Sequence, residues 1–537
     1  MNRFAALLER LLLAPQRTAK LRHLTDYFAG TPDPDRGWAI AAITRDLDIR
    51  SFKPAMLREL IAARMDPVLF ELSYDYVGDL AETVSLAWPA RRGANRIPTL
   101  TEVVETLDEA TRVETPAIVE AWLDALDATG RWALIKLITG GLRIGVAARL
   151  VKLALADYGG KEPQEIEELW HGLDAPYEEL FEWLEGRGAK PISARATPFR
   201  PVMLANPVED GDLAALDPRD FAAEWKWDGI RVQAAAETAD DGTHVRRLYS
   251  RTGDDIGAAF PDILAALDFE AAIDGELLIF EPQKPYQVRL FGDLQQRLNR
   301  KTVSKKLLTG SPAFIRAYDL LALDGEDLRP LPFSERRVRL ECWITERAPA
   351  RLDLSPLVPF TDWPDVKAKR AAPPDDAVEG LMLKRLDAPY VPGRPKGPWW
   401  KWKRDPHLID AVLMYAQRGH GKRSSYYSDY TFGVWTDGEA GPELTPVGKA
   451  YFGFTDDELK QIDKFVREHT VDRFGPVRAV TATAESGLVL EVAFEGLNRS
   501  PRHKSGLAMR FPRIHRLRWD KPPAEADRLE TLERLLP

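Results

Sequence analysis

At 537 residues the chain exceeds what one hydrophobic core can serve, and three or four domains are expected. A content of 45% hydrophobic and 29% charged residues is that of a globular protein, and the lack of any run of eighteen apolar residues excludes a membrane-spanning helix. The single cysteine, Cys342, excludes an internal disulfide and a zinc site built on several thiolates, and suits a reducing cytoplasm.

In chain order, residues 1 to about 190 read as helical. Phe4, Leu7, Leu8, Leu11 and Leu12 recur at helical spacing and predict a short amphipathic helix rather than a signal peptide. Trp132, Ile135, Lys136 and Ile138 repeat the pattern; Thr139-Gly140-Gly141 ends that helix, and Leu142-Arg143-Ile144-Gly145 is expected to open the next. The stretch 186–200 has the composition of a linker. From about 220 to 404, short strands alternate with helices, an α+β pattern. After Pro406 the pattern is β-rich, with strands expected at 409–417, 431–435, 479–483 and 488–494 and a helix at about 456–469. A small five-stranded barrel is the natural reading, closed by a short amphipathic helix at 525–536.

The net charge of −9 does not advertise a nucleic-acid partner, but the charge is unevenly spread. Six basic residues against Asp293 fall in 289–306, five with no acid in 394–404, and eight against Asp520 in 499–521. One such run is usually a solvated face, whereas three in an acidic chain point to a phosphate-rich partner.

Glu224-Trp225-Lys226-Trp227-Asp228-Gly229-Ile230-Arg231 carries the strongest chemical signal. As a strand it places Phe221, Ala223, Trp225 and Trp227 on one face and Ala222, Glu224, Lys226 and Asp228 on the other. A lysine held among carboxylates on an apolar strand is a candidate nucleophile, though a surface ion pair explains the octet alone equally well. Gly229 permits a tight turn before Arg231. Tyr249-Ser250-Arg251-Thr252-Gly253-Asp254 presents an arginine at a glycine turn. Ile273-Asp274-Gly275-Glu276 puts two unpaired acids on a buried-type strand, where they need a metal, ribose hydroxyls or a salt bridge. Tyr318, in Ala317-Tyr318-Asp319-Leu320, is either a base-stacking ring at a strand edge or a core tyrosine. Val378-Glu379-Gly380-Leu381-Met382-Leu383-Lys384 sets another carboxylate on an apolar strand. In Trp399-Trp400-Lys401-Trp402-Lys403-Arg404, two lysines share a face and repel unless an anion lies between them. Arg516-Leu517-Arg518-Trp519-Asp520-Lys521 closes the series, and a plain surface strand accounts for it almost as well.

Taken in order, these segments resemble the motifs of the covalent nucleotidyltransferases, and specifically of the ATP-dependent DNA ligases. The resemblance implies an all-α DNA-binding domain (1–200), an α+β nucleotidyltransferase or adenylation domain (201–404) and a β-barrel OB-fold domain (405–537). It implies ATP and Mg2+ as cofactors, nicked double-stranded DNA as partner, no membrane, and a cytoplasmic monomer working alongside other repair enzymes. Lys226 would be the adenylated nucleophile. Glu224 would lie near the adenine with Tyr318 stacked on it, Arg231 and Arg251 at ribose or phosphate, and Glu276 at ribose or metal. Glu379 would bind the metal, Arg394, Lys401 and Lys403 the nucleotide phosphates, and Arg518 and Lys521 the departing pyrophosphate once the barrel domain closes about a hinge near Asp405-Pro406. Gly141-Leu142-Arg143-Ile144-Gly145 resembles the helical domain of larger ligases, with Arg143 a candidate DNA contact. The stretch 410–422, with Gln417-Arg418-Gly419-His420-Gly421-Lys422, resembles a bacterial repair branch.

Two departures stand out: Tyr318 occupies a position often held by phenylalanine, and the interval from Arg394 to Lys401 is one residue longer than the commonest spacing. RNA ligases and capping-type guanylyltransferases share the lysine motif, but the helical domain and the Trp-Lys-Trp-Lys segment favour DNA ligation. One cysteine cannot build the four-cysteine zinc module of NAD-dependent ligases. A non-catalytic DNA-end-binding protein is disfavoured by the presence of the lysine and both key carboxylates.

Overall fold

The computed structural model describes the chain except residues 92, 94–95, 192–196, 210, 240, 283, 299, 301, 419–425, 439–440 and 537. It forms two compact units, residues 1–70 with 80–404, and 71–79 with 405–537. No helix among the described residues is long and apolar enough to cross a membrane.

The first unit begins with helices that run from Asn2–Leu13 to Glu178–Leu184. Phe4, Leu7, Leu8 and Leu11 are buried as the spacing requires, but Leu12 faces solvent. Arg36 ties the bundle together through Asp33, the Phe28 carbonyl and Tyr158. The helix Ala128–Ile138 ends as expected, yet the next begins only at Ala148, so Leu142-Arg143-Ile144-Gly145 is a loop and not a helix start. Gly140 and Gly145 take φ of 68° and 64°, and the Lys20 ammonium donates to the Ile144 and Gly145 carbonyls, at 3.2 and 2.9 Å. A helix would have given those carbonyls to backbone amides.

Of the expected linker, residues 192–196 lie outside the described part, and residues 197–200 are no free tether. Tyr249 donates to the Thr197 carbonyl at 2.8 Å, and Gln233 exchanges two hydrogen bonds with the Arg200 backbone.

Two antiparallel-rich sheets follow. The smaller orders Asn206–Pro207, Trp399–Lys403, Val378–Arg385 and Phe221–Trp227 side by side. The larger is built on His244–Ser250, Ile230–Thr238, Ala271–Glu281 and Ala313–Leu323. Ala235, Tyr249, Ala272, Leu321, Tyr390 and Trp399 form an apolar cluster that joins strands of both sheets. Phe221, Ala223, Leu381, Leu383 and Trp400 pack on the outer side of the smaller sheet, so the period-two pattern of the lysine strand holds. Arg336, on the helix Phe333–Arg347, makes a bidentate pair with Asp319 at 2.8 and 3.0 Å, and both side chains are 0% exposed. The aspartate of the Tyr-Asp-Leu segment is therefore structural. Within the 289–306 run, Arg297 is buried against Asp262 and Arg289 pairs with Glu281 and Asp293, while Arg300, Lys305 and Lys306 are exposed.

In the second unit, His407–Arg418 is shared between partners. Its residues His407 to Val412 pair with Val489–Phe494, and Tyr415 to Gln417 pair with Val477–Val480. Among the described residues, seven strands form one sheet and Gly496–Arg499 with Leu507–Arg510 a second, more than the five expected. The helix Asp456–Glu468 starts at a Thr455–Glu458 capping box and buries Leu459, Ile462, Phe465 and Val466. The strand expected at 479–483 stops at Val480. The terminal helix shortens to Leu529–Glu533, because the preceding chain runs beside the sheet: Trp435 donates to the Asp527 carbonyl and Arg528 bridges Trp435. Residues 419–422 of the stretch resembling a repair branch lie outside the described part.

Arg336→Ala leaves Asp319 buried without its counter-charge, a loss of about 3–5 kcal/mol. A large drop in the melting temperature by scanning calorimetry is the expected result.

Candidate nucleotide-binding site

Strand register assembles the site on the smaller sheet. Across the three strands, Lys226 stands opposite Gly380 and Gly380 opposite Lys403; Glu224, Met382 and Lys401 form the next row. Trp227 pairs with Val378 while Lys226 pairs with Gly380, so Glu379 is the extra residue of a β-bulge. Strict alternation would have sent its carboxylate to the opposite face. Instead Glu379 Oε2 lies 2.8 Å from Lys226 Nζ and 3.4 Å from Lys403 Nζ. Gly380 has φ of 150°, and a Cβ there would fall 2.2 Å from the Trp402 carbonyl oxygen. Gly229 serves differently from the expectation. Its φ is not positive, but a Cβ would lie 2.5 Å from the Leu277 carbonyl oxygen, so glycine is required for closeness between the strands.

The larger sheet adds Arg231 opposite Glu276, and Gln233 opposite Asp274. Asp274 is not unpaired: fully buried, it is gripped by Arg231 at 2.6 and 3.0 Å and by the Tyr390 hydroxyl at 2.6 Å. Burial pushes the Glu276 carboxyl up to about 7, with Lys226 opposing and Glu379 adding to the rise. Burial also acts upward on Glu379, but Lys226 and Lys403 outweigh it and hold that carboxyl below its usual range. Lys401 is lowered by burial and by the positive charges of Arg394, Lys226, Lys403 and Arg251. Those five cations therefore share one electrostatic neighbourhood. Arg251 is exposed on a turn whose Gly253 has φ of 89° and packs on His171, and Arg394 is exposed beside Gly393, also at 89°.

Tyr318 is not at a strand edge. It is the bulged residue inside Ala313–Leu323, since Gly275 pairs with Ala317 and Asp274 with Asp319. The Lys384 ammonium lies 4.4 Å and the Arg231 guanidinium 5.9 Å from its ring centroid. Glu224 is 2% exposed and bound by Lys384 at 2.7 Å and Arg337 at 2.8 Å. Burial works against both charges of the first pair, pushing the Glu224 carboxyl up and the Lys384 ammonium down. Sequence reasoning missed Lys384, Arg337 and Tyr390 as members of this network. Alternation from Gly380 places Lys384 on the Lys226 face; Arg337 and Tyr390 carry no comparable signal.

In the second unit, Arg518 and Lys521 both reach Asp410, at 3.3 and 2.7 Å, and Arg518 also pairs with Asp520 at 2.9 Å. Arg143 is exposed on the loop after Ile138 and lines a cavity of about 1130 Å3 with Arg45, Lys152 and Thr252.

The arrangement suits a polyphosphate: an amine between carboxylates, ringed by cations. Among the described residues no cluster of three or more acidic, histidine or cysteine side chains forms a metal cage. Glu276 and Glu379, which interact electrostatically, nonetheless fit a hard cation that takes its remaining ligands from phosphate and water.

Three family models match the chain: DNA ligase N terminus at residues 1–156, ATP dependent DNA ligase domain at 202–403, and ATP dependent DNA ligase C terminal region at 423–521. The chain belongs to the ATP-dependent DNA ligase family. It is 35% identical over 432 residues to a probable DNA ligase of Koribacter versatilis, covering 75% of this chain and 71% of that one. It is 28% identical over 563 residues to a DNA ligase of Thermococcus fumicolans, covering 99% and 98%. The solved structure Pmar-Lig_PreS3 shares the fold, with a TM-score of 0.59 at 14% identity over 96% of this chain and 99% of that one. ATP-dependent DNA ligation is accordingly the activity of this enzyme, and its parts are a helical N-terminal region, a nucleotidyltransferase domain and a strand-rich C-terminal domain.

The raised Glu276 carboxyl has a pH consequence. Its folded value, about 7, exceeds the ordinary 4.5, so burying its charge opposes folding above pH 7, and this opposition vanishes below pH 4.5. Glu276→Gln should raise the melting temperature of the metal-free enzyme by a few degrees at pH 8 and leave it unchanged near pH 4.5.

Proposed function

We propose that Lys226 is the nucleophile of a three-step nick-sealing reaction. The carrying observation is Lys226 Nζ, 2.8 Å from Glu379 and among Lys401, Lys403, Arg394 and Arg251. Unprotonated Nζ attacks the α-phosphorus of ATP, a P–N bond forms, the bond to the β-phosphate oxygen breaks, and pyrophosphate leaves. An oxygen of the 5′-phosphate at the nick then attacks the same phosphorus and frees the lysine. The adjacent 3′-hydroxyl finally attacks the 5′-phosphorus and AMP departs. All three are transfers at phosphorus, where positioning and charge neutralisation supply most of the rate.

Lys401, Lys403 and Arg394 are the groups for the nucleotide phosphates, and Arg251 for ribose or phosphate. Glu276 and Glu379 would hold Mg2+, which supplies further neutralisation of phosphate charge. Glu224, held rigid by Lys384 and Arg337, is the group for the adenine edge, and Tyr318 for its face. Arg231 is largely committed within the protein and has one N–H left for a ligand. Arg518 and Lys521 are assigned to pyrophosphate, which must share them with Asp410. The further parts of this reading are domains at 1–200, 201–404 and 405–537, an OB-type barrel in the last, Arg143 as a DNA contact, a monomeric enzyme, and a role in bacterial DNA repair.

Incubation with α-labelled ATP, followed by a chase with nicked DNA, tests the reading. Label should attach to the wild type and leave as the nick closes, while Lys226→Ala takes up none. A Lys226→Ala enzyme that seals nicks from ATP at the wild-type rate would refute it.

Lys401→Ala removes a charge contact made to the transition state. Single-turnover adenylation should slow by about 10²–10³-fold, as for loss of one oxyanion donor; an unchanged rate excludes the role.

A further inference from the structure

Tyr390 lies outside every motif of the sequence, in the proline-rich connection that also carries Arg394. Its ring is 3% exposed and sits edge-on to Trp399, with centroids 5.7 Å apart. The hydroxyl donates to Asp274 Oδ2 at 2.6 Å and accepts from an Arg231 terminal nitrogen at 3.0 Å. Arg231 in turn holds both Asp274 oxygens and donates to the Met203 carbonyl at 2.6 Å. Four of its five N–H groups are thereby oriented by protein atoms, and the fifth is aimed by them.

The same connection is fixed again three residues on. Gly393 donates to the Val202 carbonyl at 3.0 Å and accepts from Leu204 at 2.6 Å. One short segment thus joins the guanidinium beside Tyr318 to Arg394, a group proposed above for the nucleotide phosphates. Burial, and after it the Asp274 carboxylate, raises the phenol well above its ordinary range, so it remains a donor throughout the working pH range.

We infer that Tyr390 is a positioning residue for ATP, its hydroxyl locking the Arg231–Asp274 pair so that the remaining Arg231 N–H meets the nucleotide beside the Tyr318 ring. The inference rests on the ligase reading above. The interaction exists before and during the transfer, so it is uniform binding and should act on KM rather than on the maximal rate.

Tyr390→Phe keeps the ring and its packing and removes only the hydroxyl. Adenylation measured with α-labelled ATP should show a KM about tenfold higher and a maximal rate, per labelled enzyme, within about twofold of wild type. Asp274→Asn, which weakens the same node from the other side, should give the same KM-selective defect, and the double variant should be no worse than the poorer single one. A Tyr390→Phe KM within about twofold of wild type overturns the inference, as does strict additivity of the two changes. So does a fall in maximal rate at unchanged KM. Because KM does not depend on the fraction of enzyme that folds, partial misfolding leaves the readout decisive, and if Tyr390→Phe does not fold at all, the KM of Asp274→Asn decides. A wild type that takes up no label from ATP refutes the ligase reading itself.

Discussion

The site depends on one irregularity in strand pairing. A single extra residue between Val378 and Gly380 turns Glu379 onto the face of Lys226 and Lys403. Without the bulge, Lys226 and Lys403 would lack the carboxylate they share, and it would point into the apolar packing behind the sheet. Gly380 makes the bulge possible, since its φ of 150° and the 2.2 Å approach to Trp402 leave no room for a side chain. The grouping of Lys226, Glu379 and Lys403 is thus a property of register and of one missing Cβ.

A second layer of buried charge fixes the groups around this centre. Glu224, Lys384 and Arg337 are each no more than 5% exposed, as are Asp274, Asp319 and Arg336. Such ions are expensive to desolvate, and their pairing offsets that without giving much net stability. What they provide is direction. Glu224 and Asp274 are each held by two partners and Asp319 by a bidentate one, so none of the three is free to rotate. The helix Phe333–Arg347 is the common source of Arg336 and Arg337, and through them it braces strands of both sheets.

Much of this was legible in the chain itself. Alternation in 221–228 placed Lys226 and Glu224 together and the aromatic residues behind them, and the same rule put Lys401 with Lys403. The rule fails where backbone departs from ideal pairing. Tyr318 and Glu379 both sit at bulges, which leave no mark in a period-two pattern. Pairing by residues distant in sequence is equally silent. Arg231 meets Asp274 across 43 positions and Arg337 meets Glu224 across 113, so a strand that looked to carry unpaired acids is half satisfied by salt bridges. In the β-rich region, the helix expected at about 456–469 is found at 456–468, whereas the true strand count depended on one long strand changing partners midway.

The cations differ in how they are satisfied before any nucleotide arrives. Lys226 and Lys403 share Glu379, and in the other unit Arg518 and Lys521 share Asp410. A phosphate bound by any of these four would compete with a carboxylate already present, and part of its attraction would be spent on that exchange. Lys401 is different: burial acts most strongly on it, and the charges that follow, Arg394, Lys226, Lys403 and Arg251, are all positive. An anion placed there relieves repulsion among five cations and restores solvation that burial removed. The repulsion that a bound anion would relieve is therefore concentrated at Lys401, one row along the sheet from Lys226.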